Sequence, residues 1–354
     1  MSVFVDIKKK LGTFSLDIRF EAGDETLALL GASGCGKSMT LKCVAGIETP
    51  DSGRIVVDGV TLFDSDRGVN LSPQERRVGL LFQNYALFPD MTVLRNIRAG
   101  AKREKDRAKR ERAVRQVMDS FGLSELSGRY PRQLSGGQQQ RTALARILVS
   151  APRVLLLDEP FSALDSHLRF RLEREVRGVI RSFGKTVLLV SHDRDEVYRM
   201  ADAVAVISHG RVDVCGGRDA VFFAPRTRAG AVLTGCKNIS AVRRVGENRV
   251  YASDWGMTLS VKGPADNARY VGIRMHDVRV GGTENVIRCR VTEVIENPFS
   301  VTVMLQPADR ERAVPIGWET EKRIWNQLRA DELDVCLPVE SLLLLEGDAD
   351  AESS

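Results

Sequence analysis

A glycine-rich segment near the start of the chain has the composition of a phosphate-binding loop. Residues 31–38 read GASGCGKS, a spacing that lets backbone N–H groups converge on phosphate oxygens at a helix N-terminus. Lys37 is expected to reach the β- and γ-phosphates, and the Ser38 hydroxyl is expected to bind Mg²⁺. An apolar run, residues 27–30, precedes the segment and a helical stretch, residues 39–45, follows it. The sequence therefore predicts a nucleoside triphosphate site between a strand and a helix.

An acidic pair ends another apolar run, residues 154–157. A strand this apolar is expected to be buried, so Asp158 and Glu159 should emerge at the C-terminal edge of the sheet, where ligands of open α/β folds bind. Asp158 is then the candidate holder of Mg²⁺, and Glu159 the candidate base that orients and deprotonates the attacking water. Taken alone, such a pair could equally close a strand for structural reasons. The phosphate-binding segment favours the catalytic interpretation.

The composition limits the classes of protein to consider. At 354 residues the chain exceeds the size at which one core usually stops growing, so two domains are expected. The six cysteines include no Cys-x-x-Cys pair, which argues against a zinc site or a disulfide framework. No apolar run approaches the ~20 residues that cross a bilayer, and Asp6 stands where a signal peptide would have its apolar stretch. We expect a cytoplasmic chain that reaches a membrane only through a partner.

The pattern of apolar runs divides the chain at about residue 230. Residues 1–230 alternate β-rich and helical stretches, which predicts an α/β domain with a largely parallel sheet. Residues 84–134 interrupt this alternation and predict an inserted helical subdomain. Residues 231–354 contain closely spaced short strands, which predict a small all-β barrel or sandwich. The β-rich runs of the first part are residues 26–30, 54–57, 78–82, 154–157, 186–190 and 203–207; those of the second part are residues 249–252, 257–261, 270–275, 286–294, 300–305 and 342–345.

A charge-rich run at residues 98–115 raises the question of nucleic-acid binding. Its basic residues are interleaved with Glu104, Asp106 and Glu111, and it contains no aromatic residue on which a base could stack. The net charge of the chain is only +5. The run is therefore interpreted as the solvated face of an amphipathic helix, and no nucleic-acid partner is predicted.

Residues 134–138 read LSGGQ, and with the two segments above they make the first 230 residues resemble the ATP-binding subunit of an ABC (ATP-binding cassette) transporter. The resemblance implies that two copies bind two ATP molecules in a head-to-tail homodimer. In that arrangement Ser135, Gly136, Gly137 and Gln138 of one copy complete the ATP site of the other. Physically, this is a second helix N-terminus facing an anion that the first helix already holds.

Three further positions match the family one at a time. Gln83 resembles the glutamine that senses Mg²⁺ and the attacking water, Asp165 resembles the aspartate that contacts the opposite subunit, and His192 resembles the switch histidine bonded to the γ-phosphate. The implied catalytic residues are Glu159, His192 and Gln83. The implied Mg²⁺ ligands are Ser38, Gln83 and Asp158. The implied ATP-binding residues are Gly31, Ser33, Gly34, Cys35, Gly36, Lys37, Ser38, Met39, Ser135, Gly136, Gly137, Gln138 and Asp165.

One family element is missing. Members usually stack an aromatic residue on adenine from the N-terminal region, commonly just before a glycine, whereas here Leu11 precedes Gly12. Either Leu11 gives only an apolar contact or Phe14 takes the stacking role.

Two other regions resemble the importers of this family. Residues 84–97 resemble the segment that grips the coupling helix of a membrane permease; the alternative is that Tyr85, Leu87 and Phe88 pack internally. The C-terminal strands resemble the OB-like (TOBE/Mop-like) regulatory domain of importer ATPases, most closely those for molybdate, tungstate or sulfate. An inhibitory oxyanion in this domain would meet Lys237 and Arg274.

The resemblance implies an ATPase subunit of an ABC importer that drives uptake of an oxyanion, with molybdate favoured over tungstate and sulfate. Its partners would be a second cassette, the permease and, through the complex, an extracytoplasmic solute-binding protein. It would lie at the cytoplasmic face of the membrane as a peripheral protein. The alternatives are an importer for a sugar, a polyamine or iron, and an ABC ATPase outside transport.

Overall fold

The computed structural model describes residues 2–162, 166–310 and 312–347. It divides into two compact units, Met1–Arg218 and Asp219–Ser354. The division falls at the start of helix α8 (Arg218–Phe223), before the boundary at residue 230 that the change in sequence pattern predicts. No helix in the described ranges is both long and apolar enough to span a membrane.

The first unit is built on one sheet whose strand order is β6-β5-β4-β1-β2-β11-β10-β3-β9-β8-β7. Its strands are β1 (Val3–Leu11), β2 (Phe14–Ala22), β3 (Thr26–Leu30), β4 (Ser52–Val57), β5 (Val60–Asp64), β6 (Val69–Asn70), β7 (Val78–Leu81), β8 (Val154–Asp158), β9 (Val187–Ser191), β10 (Ala203–Ser208) and β11 (Arg211–Gly217). Its helices are α1 (Lys37–Ala45), α2 (Pro73–Arg76), α3 (Val93–Gly100), α4 (Arg107–Ser120), α5 (Gly136–Leu148), α6 (Ser166–Phe183) and α7 (Arg194–Met200).

Only one end of the sheet has an uninterrupted run of parallel strands; elsewhere the only parallel pair described is β2 with β11. Strands β10, β3, β9, β8 and β7 run parallel, whereas β1, β2, β4, β5 and β6 pair antiparallel. Short connections explain the difference, because a turn between Leu11 and Phe14 can join only antiparallel neighbours. The prediction of a largely parallel sheet is therefore right for the end that carries the helices and wrong for the other.

The parallel strands determine where the candidate site lies. Every residue of β3, β8 and β9 is buried, as expected for strands covered by helices on both faces. Because β3, β7, β8 and β9 are parallel, their carboxyl ends meet at one edge of the sheet. The segments that begin at Gly31, Gln83, Glu159 and His192 leave the sheet at this edge.

The predicted helical insertion lies between β7 and β8. Helices α3 and α4 share a small apolar core with Leu134, just before α5, and with Ala145 in the last turns of α5. Its fully buried members recur at helical spacing, with Val93 and Ile97 on α3 and Val114 and Met118 on α4. The insertion thus has its own core beside the sheet.

The second unit is β-rich and barrel-like, as predicted for an OB-like domain. Two five-stranded sheets share one core, in which Trp255 is fully buried. The strands are β12 (Asn238–Gly246), β13 (Arg249–Ala252), β14 (Met257–Ser260), β15 (Tyr270–Ile273), β16 (Arg279–Val280), β17 (Val286–Glu296), β18 (Ser300–Pro307), β19 (Ile316–Glu321), β20 (Glu332–Cys336) and β21 (Leu343–Leu345). The helices are α8, α9 (Arg228–Leu233) and α10 (Lys322–Leu328).

Candidate nucleotide site

The loop between β3 and α1 has a backbone that only glycine can follow. Gly36, at the N-cap of α1, has φ +107°, and a Cβ there would lie 2.4 Å from Leu16 Cδ1. Gly34 also has a positive φ, +83°. L side chains rarely adopt such a conformation. The turn lets the loop approach the helix start closely, which is the geometry that a phosphate group requires.

Lys37 is enclosed by this loop. Its Nζ donates to the carbonyl oxygens of Gly31 and Ala32, each at 2.8 Å, and the side chain is only 4% exposed. Cys35 is buried beside it, with Sγ 3.7 Å from Nζ. The ammonium group is therefore held at the mouth of α1, where a phosphate could replace the two carbonyl oxygens.

Ser38 and Asp158 supply adjacent oxygen atoms. The Ser38 hydroxyl donates to Asp158 Oδ1 at 2.7 Å. Burial raises the pKa of Asp158, and the hydrogen bond from Ser38 partly opposes that rise. A hydroxyl and one carboxylate fit Mg²⁺, which usually takes one or two protein oxygens beside substrate phosphates and water.

Glu159 and His192 meet beyond the ends of β8 and β9. Glu159 Oε1 lies 3.2 Å from His192 Nδ1. The Glu159 backbone is left-handed, with φ +45°, and its N–H donates to Val190 O. A non-glycine residue in this conformation is strained and is often found at functional sites. The carboxylate is 20% exposed and the imidazole 53% exposed, so both can meet a ligand at the sheet edge.

Gln83 follows β7 and is exposed. In the next residues, Tyr85 and Ala86 have positive φ values, 60° and 42°. Arg146 holds this strained turn by donating to both carbonyl oxygens. Tyr85 is buried, whereas Phe88 is 46% exposed. Internal packing therefore accounts for the tyrosine and leaves the phenylalanine at the surface.

The LSGGQ segment forms the N-terminus of α5. Ser135 is the N-cap: its hydroxyl accepts from the Gln138 N–H at 3.4 Å, and Gln138 Oε1 accepts from the Ser135 N–H at 2.9 Å. This reciprocal capping box sets the start of the helix and aligns its first amides. The structure thus gives Gln138 a local capping role, and its predicted contact with ATP stays a prediction.

The remaining predicted site residues differ in their setting. Ser33 is exposed on the phosphate loop, and Met39 is partly buried against the main core. Asp165 lies outside the described residues. Leu11 pairs with Phe14 across the β1–β2 turn, and the Phe14 ring lies beside the phosphate loop, 3.4 Å from the point where a Gly36 Cβ would be.

Arg274 has a structural role that its predicted anion binding did not include. Its guanidinium donates to Thr234 O at 2.7 Å and also to Phe222 O. These bonds tie α8 and α9 to the barrel-like sheets. Lys237, the other charge predicted to meet an oxyanion, is exposed.

Glu196 is a residue of the site that sequence patterns did not reveal. It lies in the first turn of α7, is 4% exposed and lines a small cavity with Glu159 and His192. Burial raises its pKa to about 8. An acid in a first helical turn normally indicates an exposed partner of the helix dipole, so the sequence carried no signal of its burial.

Comparison with known proteins agrees with this geometry. The family model "ABC transporter" matches residues 14–162. The sulfate/thiosulfate import ATP-binding protein of Chromobacterium violaceum is 37% identical over 287 residues, which cover 80% of this chain and 77% of that protein. The chain belongs to the ABC transporter import ATP-binding proteins. As a member of this family it is an ATP hydrolase coupled to transport.

Other members of the ABC family differ in the solute that their names state. The molybdenum import ATP-binding protein of Paramagnetospirillum magneticum is 39% identical over 65% of this chain and 65% of its own length. The trehalose/maltose import ATP-binding protein of Thermococcus litoralis is 36% identical over 83% of this chain and 84% of its own length. Among solved structures, the dimeric ATP-binding cassette MJ0796 bound to ADP and Pi has a TM-score of 0.52 and 26% identity, covering 62% of this chain and 99% of that chain.

Proposed function

We propose that the chain is the ATPase subunit of an oxyanion importer, with molybdate favoured over tungstate and sulfate, and that it hydrolyses ATP between two head-to-tail copies. The observation that carries this proposal is the grouping, at one sheet edge, of the loop around Lys37, the Ser38–Asp158 pair and the Glu159–His192 pair. Each supplies one requirement of phosphoryl transfer: anion binding, metal binding and activation of water.

The chemistry follows from these groups. The loop amides and Lys37 would hold the β- and γ-phosphates, and Ser38 and Asp158 would hold Mg²⁺, which neutralises phosphate charge. Glu159 would take the proton of the attacking water, and His192 would orient Glu159 through the 3.2 Å contact. Gln83, at the end of the neighbouring strand, would face the metal and the water. The adenine contact would come from Phe14 or Leu11.

The second copy would complete the site. Helix α5 begins with a capped N-terminus at Ser135, and such an end attracts anions through its amides and its dipole. The MJ0796 cassette bound to ADP and Pi is dimeric, which supports the proposal that α5 of one copy meets the γ-phosphate on the other. Asp165 is proposed to contact the partner copy.

The helical insertion carries a basic groove suited to a membrane partner. The groove has a volume of about 710 Å³ and lies between α3 and α4. Five cations line it against a single acid, Glu111, which already pairs with Arg98 at 2.6 Å. The groove adjoins the segment with exposed Phe88. We propose that an acidic cytoplasmic segment of the permease docks here and holds the cassette at the cytoplasmic face of the membrane, with the solute-binding protein on the other side.

Arg107→Glu tests this docking surface. Arg107 is exposed, lines the groove and forms no ion pair within the described part of the chain. We expect the variant to bind detergent-solubilised permease at least about tenfold more weakly, because one attraction becomes a repulsion, while ATP hydrolysis by the free subunit is unchanged. Arg112→Glu, on the same helix but outside the groove, is the control. Equal affinities for the parent and the Arg107 variant would contradict the docking proposal.

The solute is the least constrained part of the proposal. Relatives are named for import of sulfate or thiosulfate, molybdenum, trehalose or maltose, and spermidine or putrescine. The OB-like domain and the sequence resemblance favour an oxyanion, and Lys237 is the charge that we propose would meet one there. The long match to the trehalose/maltose protein makes a sugar the second candidate.

Uptake by the reconstituted complex decides between these solutes. We would measure uptake into proteoliposomes of labelled molybdate, tungstate, sulfate, maltose and spermidine. Each solute would be tested once with ATP inside the vesicles and once with ATP outside. We expect ATP-dependent uptake of molybdate and lower uptake of the other oxyanions. Uptake of maltose or spermidine without any oxyanion would overturn the choice of solute and leave the ATPase assignment intact.

A further inference from the structure

The carboxyl group of Glu196 lies behind the catalytic pair. It is one of the groups around a cavity of about 10 Å³ that Glu159, His192, Ser162 and Arg169 also line. That volume is close to the space that one water molecule needs, and the lining is polar, as a water site requires. The cavity therefore connects a buried acid to the base and the switch histidine.

The hydrogen bonds of Glu196 point to this cavity. Its N–H donates to Asp193 Oδ1 at 3.1 Å as part of the α7 cap, and the nearby Ser191 hydroxyl donates to Asp193 O at 3.5 Å. Its Oε1 is buried without a partner in the described residues. A buried polar atom in a folded protein normally has a partner, often an ordered water. A water in the cavity would meet this need.

The charges around Glu196 favour its neutral form. Two acids face it, Asp193 from its own cap and Glu173 from α6. The two nearby arginines each pair with another acid: Arg169 donates from Nη1 to Asp193 Oδ2 at 3.0 Å, and Arg199 pairs with Glu173 at 2.7 Å. The Nε of Arg169 is buried without a partner in the described residues, so it is a second donor that a water in the cavity could meet. Strand β3, which also packs against α7, reads TLALL and adds no charge.

Burial is the largest cause that raises the pKa of Glu196 to about 8; the Ser191 hydroxyl opposes it, Asp193 and Glu173 add to it, and Arg169 has the smallest, opposing effect. Glu159 and His192 face the same cavity from the ends of β8 and β9. An ionised Glu196 would thus add a fourth carboxylate to a cluster that already contains Asp193, Glu173 and Glu159. A neutral carboxylic acid avoids this repulsion and can donate a hydrogen bond.

We propose that Glu196 is a positioning residue for ATP hydrolysis: in its neutral form it donates from Oε1, through one water molecule in the cavity, to the Glu159–His192 pair and fixes their orientation. This inference rests on the proposed ATPase function and deepens it. The proposal gives helix α7, which follows His192, a role in holding Glu159 in place.

The test compares Glu196→Gln and Glu196→Ala with the parent in steady-state hydrolysis between about pH 7 and about pH 9.5. At a pH one unit above the pKa of Glu196, the kcat of the parent should be about one tenth of its constant value at lower pH, because only the neutral acid donates. Glu196→Gln keeps a donor that cannot ionise, so its kcat should stay near the parental plateau without the alkaline fall. Glu196→Ala removes the donor, and its kcat should be lower by about tenfold or more throughout.

Asp195→Asn is the matched control, since it removes a carboxylate from the same helical turn on the exposed side. It should keep the parental profile. Infrared spectra provide a readout that does not depend on turnover: the carbonyl stretch of a protonated buried carboxyl should be present in the parent at about pH 7 and absent from Glu196→Gln.

An alkaline fall retained in Glu196→Gln, a loss in this variant as large as in Glu196→Ala, or a parent without the infrared band would each overturn the inference. A parent that binds ATP but never hydrolyses it would instead contradict the proposed function, and the infrared band would still report on Glu196.

Discussion

Glu159→Gln is expected to bind ATP and to lose hydrolysis by about 10²–10⁴-fold, the usual contribution of a general base. Glutamine has the shape of glutamate, so the left-handed backbone and the contact with His192 should persist while the group that accepts the proton is lost. ATP should then hold two copies together. Single-turnover measurements should show almost no phosphate release. Light scattering in the presence of ATP should give the mass of a dimer that persists.

Glu21→Gln serves as the control, because Glu21 is exposed on β2, away from the site edge of the sheet. It should hydrolyse ATP at the parental rate. Parental turnover by Glu159→Gln would mean that another group accepts the proton from water.

Lys37→Ala should weaken ATP binding by about 100-fold, which corresponds to the loss of one strong charge-assisted hydrogen bond to phosphate. The loop around Lys37 already presents the ammonium group at the start of α1, so few groups need to move when phosphate replaces the carbonyl oxygens. Titration of the full-length protein with ATP by calorimetry would measure the change. ADP, which lacks the γ-phosphate, should lose less affinity.

Lys8→Ala removes a lysine of the same charge from the exposed face of β1 and should leave ATP affinity unchanged. If Lys37→Ala and Lys8→Ala bound ATP equally well, the phosphates would have to be held somewhere other than the residue 31–38 loop.

The parallel half of the sheet could be predicted because its strands are continuous apolar runs. Residues 26–30 were predicted as a strand with the bounds that β3 has, and residues 186–190 differ from β9 by one position. The antiparallel half was not foreseen. Strand β1 alternates buried with partly buried or exposed residues over its first six positions, and it pairs with β4 from Val3↔Val57 to Lys8↔Ser52. Such long-range pairing leaves little local trace.

Spacing along the chain was enough to predict that Gly36, Lys37 and Asp158 lie at one edge of the sheet, and their roles toward ATP stay predictions. Sequence reasoning did not foresee contacts that depend on three-dimensional packing. Glu196 is buried on α7, which packs against β3, β9 and α6, and Arg274 is occupied by carbonyl oxygens of α8 and of the residue that ends α9. Neither contact could be inferred from the position of the residue along the chain.

The central claim is that ATP held by the loop of one copy is covered by the α5 N-terminus of another. A crystal or cryo-EM structure of Glu159→Gln with ATP and Mg²⁺ tests it most directly. We predict two ATP molecules at the interface, each with its γ-phosphate near Lys37 of one copy and within hydrogen-bond distance of the Ser135 hydroxyl or the Gly137 N–H of the other. ATP enclosed by a single chain, or Ser135 of both copies turned away from every phosphate, would contradict the claim.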